Sequence, residues 1–241
     1  MEICREFLPT AALRPYVECL WFTPPVSETG YAIVPDGCVD ACFVLSQRKP
    51  RAILFGTTTH TSAYELEAGV PYFGVRFRPG CASLFVTEKI AELTDTELPV
   101  SGLLGLNPEQ LVDSAEMTSW QRRIESALLC VLSSGVDRRT LIVREAVAII
   151  DAHHGNIRVG AIARRCSIGE RQLERLFLER VGISPKLYTR IRRFRSVLSH
   201  LDDPPTEERP NFADVAASFG YTDQSHLVRD FQDFSHSLAT Q

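Results

Sequence analysis

Short runs of apolar and β-branched residues, broken at close intervals by Pro, Gly and Asp, fill the first part of the chain. Val17–Phe22, Ala32–Val34, Val39–Ser46, Arg51–Phe55, Ser62–Glu67 and Tyr72–Arg78 have the length and composition of strands. Pro24-Pro25, Pro35-Asp36-Gly37, Gly69 and Pro79-Gly80 punctuate them. Such a series predicts an antiparallel sandwich or barrel. After Pro79-Gly80 the period changes. Cys81–Val86 reads as a short helix. Helices follow over Pro108–Ser114 and Thr118–Leu132, the latter with Ile124, Leu128, Val131 and Leu132 at helical spacing. Ser133-Ser134-Gly135 is the boundary candidate, which divides the chain into residues 1–135 and 136–241. Beyond it helical periodicity dominates, starting with Leu141–His153.

The C-terminal part holds two helix-turn-helix patterns. In the first, Val159–Phe177, a short helix turns Ile162 and Ala163 inward, and Ser167 is read as the cap of a second helix with Glu170 three residues on. At 100° per residue, Leu173, Leu176 and Phe177 share one face of that helix, and Arg171, Glu174, Arg175 and Leu178 share the other. A helix held by one side and presenting two arginines a turn apart on the other suits a major groove. In the second pattern, Phe212–Phe231, Val215 and Ala216 point inward and Gly220 supplies the turn. Thr222 is read as the cap, and Leu227, Phe231 and Phe234 as the core face. Gln224, Ser225, Val228 and Arg229 lie away from that face. Between the two, Pro185–Leu201 reads as one long helix, with Ser184 as cap and Pro185 at its first position. A strut of that length, roughly 25 Å, suits two recognition helices about one DNA turn apart, ~34 Å.

Charge changes the picture only when it is read by segment. The 241 residues carry a net charge of −4, which taken whole disfavours nucleic acid as a partner. The block from Arg158 to Arg195, however, holds eleven Lys/Arg and three acids, a net of +8. Met1–Gly135 and Asp202–Gln241 each carry −6. Ten of the eleven cations are arginine, which forks onto phosphates and guanine edges. The composition, 44% hydrophobic and 23% charged, excludes collagen-like, low-complexity and wholly disordered chains. No stretch approaches the ~18 apolar residues of a membrane span, and the N-terminus lacks a signal-peptide pattern. A cytoplasmic protein without membrane contact is expected. The seven cysteines include no C-x-x-C pair and suit reduced structural thiols.

The stretch Glu170–Lys186, followed by Arg190-Ile191-Arg192-Arg193-Phe194, resembles the first helix-turn-helix unit and linker helix of the AraC/XylS family of bacterial transcription regulators. Phe219–Phe231 resembles that family's second unit, and the likeness runs over roughly Leu141–Phe234. The resemblance implies sequence-specific binding of double-stranded DNA in adjacent major grooves. By matching position it implies base contacts from Arg171, Glu174 and Arg175, then from Gln224, Ser225, Val228 and Arg229. It implies phosphate contacts from Ser167, Lys186, Arg190, Arg192, Arg193 and Thr222. The acidic stretch Asp202–Pro210 and the ending Phe234–Gln241 depart from the family pattern, so the first unit is expected to dominate affinity.

Tyr31–Asp40 and Gly74–Gly80 resemble the N-terminal regulatory domain of one branch of such proteins, which implies a cupin-like barrel. The expected fold is therefore α+β: a β-rich effector-binding or dimerisation domain, then an all-α domain of two helix-turn-helix units joined by a long helix. Barrel mouths are natural small-molecule sites. Arg76 and Arg78 alternate with Val75 and Phe77, so they point to one side of a strand. Facing inward, they favour an anionic effector; facing outward, they meet solvent or pair with Asp36 or Asp40. Cys38 and Cys42 form at most half of a thiolate zinc site, and His60 stands alone before His153, so no metal or cofactor is expected. No phosphate loop or nucleophile elbow is present, and no enzyme activity is expected. Two other readings stay open: a DNA-targeted enzyme or repair protein using the N-terminal domain, and a degenerate regulator working through protein contacts. RNA polymerase and a second copy of the chain are further candidate partners.

Overall fold

The computed structural model describes residues 4–27, 30–112, 117–202 and 211–235. Most of the acidic stretch 202–210, together with residues 236–241, lies outside the described residues. Eight strands run in order: β1 (Arg5–Phe7), β2 (Val17–Thr23), β3 (Gly30–Ile33), β4 (Val39–Val44), β5 (Arg51–Phe55), β6 (Ser62–Glu65), β7 (Tyr72–Phe77) and β8 (Glu97–Val100). Six form an antiparallel sheet in the order β1-β2-β7-β4-β5-β8, and β3 pairs with β6 in a separate ribbon. Residues 81–86, expected as a helix, contain only a 3-10 turn at Ala82–Leu84.

Alternation along the strands sorts the two faces of the large sheet. Ala41, Phe43, Ala52, Leu54, Phe73, Val75 and Phe77 face one way. They pack with Trp120, Ile124 and Leu128 of the helix Met117–Leu132. Cys42, Val44, Ile53 and Tyr72 face the other way, toward Tyr64 on the ribbon. After α1 (Pro108–Val112) and α2 (Met117–Leu132) come α3 (Arg138–Ala152), α4 (Val159–Arg165), α5 (Glu170–Arg180), α6 (Pro185–Asp202), α7 (Phe212–Ser218) and α8 (Gln224–Ser235). No described helix is long and apolar enough to cross a membrane.

The helical part has its own core, in which Phe177, Tyr188, Phe194 and Phe234 are almost fully buried. Burying side chains of this size stabilises by about 1.5–3 kcal/mol each. Ser184 and Pro185 open α6 as expected, with the Leu187 N–H donating to Ser184 Oγ at 3.2 Å. This core abuts the β domain. Thr57 Oγ1 donates to the Val181 carbonyl at 2.6 Å, Thr94 Oγ1 to the Gly182 carbonyl at 2.8 Å, and Arg180 Nη1 to Ser83 Oγ at 2.8 Å. The Thr61 N–H donates to the Phe234 carbonyl at 2.7 Å. The ring of Tyr188 lies so close to Gly37 that any Cβ there would overlap it.

Candidate nucleic-acid interface and a partly open cavity

The first unit is α4, a four-residue turn and α5. Ile162 and Ala163 hold α4 inward, and Leu173, Leu176 and Phe177 anchor α5. Opposite them Arg171, Glu174, Arg175 and Leu178 are all exposed, and so is the flanking Gln172, which the wheel did not single out. Among the described residues Arg171 and Arg175 form no ion pair, so Glu174 does not neutralise Arg171. Ser167 is not the cap of α5. It sits at φ +55° in the left-handed region and closes α4, with its own N–H on the Arg164 carbonyl at 3.1 Å and the Ile168 N–H on the Ala163 carbonyl at 3.0 Å. That is the Schellman arrangement. The cap position of α5 falls to Gly169, which offers no side chain.

The second unit repeats this backbone. Gly220, at φ +74°, closes α7, with its N–H on the Ala217 carbonyl at 3.2 Å and the Tyr221 N–H on the Ala216 carbonyl at 2.9 Å. Thr222 is not the cap of α8. Asp223 is, its carboxylate accepting from the His226 N–H at 2.8 Å. An Asp one residue before the helix was a legible cap signal. Gln224, Ser225, Val228 and Arg229 are exposed, and Leu227 and Phe234 are buried, with Phe231 half-buried. Arg229 Nε donates to the Ser225 carbonyl at 3.4 Å rather than meeting Asp233.

The cations of the linker helix divide. Lys186 is exposed and forms no ion pair among the described residues. Arg190 grips α8, with Nη2 at 2.7 Å from Asp230 Oδ1 and 2.5 Å from Asp233 Oδ2. Arg192 pairs with Asp151 at 2.7 Å, and Arg193 donates to the Gly155 carbonyl at 3.3 Å while covering the Tyr221 ring. These three arginines tie helices together within the protein. The carboxylates that engage Arg190 lie forty or more residues away in sequence, so no local pattern announced them.

In the β domain, a cavity of about 250 Å³ lies between the large sheet and the β3–β6 ribbon. Gly74 lacks a side chain where the Trp21 indole crosses β7, and Trp21 Nε1 donates to Asp40 Oδ1 at 2.8 Å. Arg76 lines this cavity but is not free: it lies 3.2 Å from Asp40 Oδ2 and 3.9 Å from Asp36 Oδ2. Burial raises Asp40 to about 6, opposed by Arg76 and by the Trp21 hydrogen bond and reinforced by the nearby Asp36. Asp40 in turn keeps Arg76 charged, well above the usual guanidinium range. Arg78, expected beside Arg76, lies past the end of β7, is exposed, and donates to the Arg14 carbonyl at 2.7 Å. Cys38 and Cys42 also line the cavity, and burial pushes both thiols up. Such thiols are poor nucleophiles and poor metal ligands.

Comparison with known proteins matches two separate parts of the chain. Residues 162–241 match the family model described as a helix-turn-helix domain, and residues 5–99 match one described as a domain of unknown function. No curated protein matches the chain. Among solved structures it is similar to ToxT from Vibrio cholerae O395, at 11% identity and a TM-score of 0.41, over 92% of this chain and 89% of that one. It is also similar to unsaturated fatty acid-bound wild-type ToxT from Vibrio cholerae strain SCE256, at 10% identity and a TM-score of 0.39, over 92% and 87%.

Proposed function

We infer that this chain, whose C-terminal part is an AraC-type helix-turn-helix domain, is a DNA-binding transcriptional regulator, and that its two units enter adjacent major grooves. The observation that carries the reading is α5. Its apolar face is buried, and its opposite face offers Arg171 and Arg175 without ion-pair partners among the described residues. In the proposed mechanism these two arginines and Glu174 read bases, and Lys186 meets the backbone. Each bidentate arginine–guanine pair discriminates by roughly 1–3 kcal/mol. Gln224, Ser225, Val228 and Arg229 form the second, weaker reading surface. Arg190, Arg192 and Arg193 act mainly by fixing how α6 carries the two units. At eighteen residues α6 is about 27 Å long, which supports a spacing of one DNA turn.

We propose further that the division of labour follows the sequence boundary near residue 135, with a small-molecule ligand in the N-terminal cavity acting on the DNA-binding part. The loop Asp36-Gly37-Cys38 supports this, since Asp36 and Cys38 line the cavity while Gly37 lies under Tyr188 of α6. A second copy of the chain and RNA polymerase are the protein partners this reading implies. A gel shift on the DNA upstream of the gene, run at two salt concentrations, tests it. A specific complex that weakens steeply with salt is expected, because phosphate contacts release counterions. The absence of any specific complex would refute it. Metal analysis of the purified chain addresses the enzyme alternative, which stoichiometric zinc or iron would favour.

A further inference from the structure

We propose that the N-terminal cavity binds a small organic cation, an aromatic amine or methylated ammonium, and not an anion. The inference deepens the ligand-sensing reading above and rests on it. The charges that line the cavity decide the sign. Glu6, Asp36, Asp40, Asp95 and Glu97 contribute carboxylates, and Arg76 is the one lining side chain that is always positive. Its charge is already shared between Asp36 and Asp40. An incoming carboxylate would have to take Arg76 from one of them and leave that carboxylate with hydrogen bonds but no opposite charge, which is unfavourable. An incoming cation meets no such obstacle. Glu6 and Glu97 form no ion pair among the described residues; they line the cavity from the two edge strands of the sheet, β1 and β8, and are free to meet an ammonium group.

The walls point the same way. Trp21 lies across β7 and Phe55 stands on β5 of the same sheet, and Tyr64 of the ribbon packs edge to face with Phe55, 4.9 Å between centroids. Aromatic faces attract cations held within about 6 Å of the ring centre, tryptophan most strongly. Acid groups alone would attract any metal ion, but no described cluster of three or more metal-ligating side chains is close enough to hold one. The cavity of about 250 Å³ instead suits one ring and its charged head.

Calorimetric titration of the full chain tests this with benzyltrimethylammonium and with phenylacetate, which match in ring and differ in charge. The cation should bind at least about tenfold more tightly than the anion. The pair of substitutions Glu6→Gln and Glu97→Gln should weaken the cation about fivefold with the melting temperature unchanged. Both residues are exposed and form no ion pair among the described residues, so the fold should tolerate both. Equal or tighter binding of phenylacetate, no binding of the cation below about 10 mM, or a double variant that binds the cation like the parent would each overturn the proposal. The gel shift is read in parallel. A specific DNA complex with no cation binding rejects the cation site alone, and cation binding without any DNA complex rejects the regulator reading alone.

Discussion

In the first helix-turn-helix unit the residue held in the left-handed region is Ser167; in the second it is Gly220. Both close their helix with the same two hydrogen bonds, so the backbone is common to the two units and their support and charge are not. The first unit rests on a cluster that runs from Val143 through Phe177 to Phe194 and is clamped to the β domain at Val181 and Gly182. The second has a small cluster of its own, built on Val197, Val215, Ala216, Tyr221 and Leu227, and reaches the larger cluster and the β domain at the end of α8, through Phe234. Its recognition helix carries Asp230 and Asp233 on the side that meets α6, and Arg229 is its lone cation. A shared backbone motif therefore does not imply a shared contribution. The first unit sits on the larger cluster and exposes two arginines without ion-pair partners among the described residues, and the second is held by Phe234 and by an arginine borrowed from the linker.

The largest test of that contrast is Arg190→Ala. Asp230 is 1% exposed, and removing its partner leaves a buried carboxylate uncompensated, at a cost of about 3 kcal/mol. The loss should fall on the second unit alone. Amide hydrogen exchange should quicken along α8 while α5 keeps its protection. Equal loosening of both helices would show that the two units fold as one and end the comparison.

Next in size is the contrast on DNA. Arg175→Ala should weaken binding to the preferred site by roughly 1–3 kcal/mol and relax base preference at one position. Arg229→Ala should cost less, because repulsion from the neighbouring acids already weakens that contact. Matched titrations of the two variants settle the ranking. Equal losses would place the second unit on the same footing as the first.

Much of this was legible in the sequence, and each exception has a physical cause. Arg51–Phe55 forms a strand with the expected bounds, and the apolar face of α5 is buried as its period requires. Both β1 and β8 went unread. The first is three residues long, and the second contains Pro99, which argues against a strand except at a sheet edge, and β8 is at the edge. The cap at Ser167 was misplaced because a polar residue before a helix serves equally well to end the preceding one, and the cap at Thr222 because the adjacent Asp223 is the stronger cap. The surroundings of Arg76 stayed open for a different reason. A strand pattern shows that Arg76 alternates with Val75 and Phe77 and offers Asp36 or Asp40 as partners, but not that Arg76 lines a cavity with Asp40 opposite it on β4. Local pattern carries local structure; sign and partnership at a site come from strands brought together by the fold.

The left-handed turns give a smaller test, of about 1 kcal/mol in each direction. Ser167→Gly should stabilise the first unit, since a side chain in that region is strained. Gly220→Ala should destabilise the second by at least as much, because the added Cβ would also overlap Asn156 in the loop after α3. Urea melts with unchanged slope would report both shifts. A destabilised Ser167→Gly would mean that the serine hydroxyl holds the turn in a way its backbone does not reveal.

The smallest effect separates stability from recognition. Gly169 caps α5 with no side chain, whereas Asp223 caps α8 with a carboxylate. Gly169 has an extended backbone, φ −77° and ψ 153°, and open space where a Cβ would stand, so serine fits without strain. A serine oxygen there could accept from an unsatisfied N–H in the first turn and stabilise α5 by a few tenths of a kcal/mol. The same N–H groups are, in the proposed complex, the ones nearest a DNA phosphate, which a helix N-terminus attracts. Gly169→Ser should therefore raise the melting temperature slightly and weaken DNA binding slightly, two readouts moving in opposite directions. Gains in both would show that the start of α5 does not approach the phosphate backbone, and the first unit would then read DNA through Arg171 and Arg175 without that anchor.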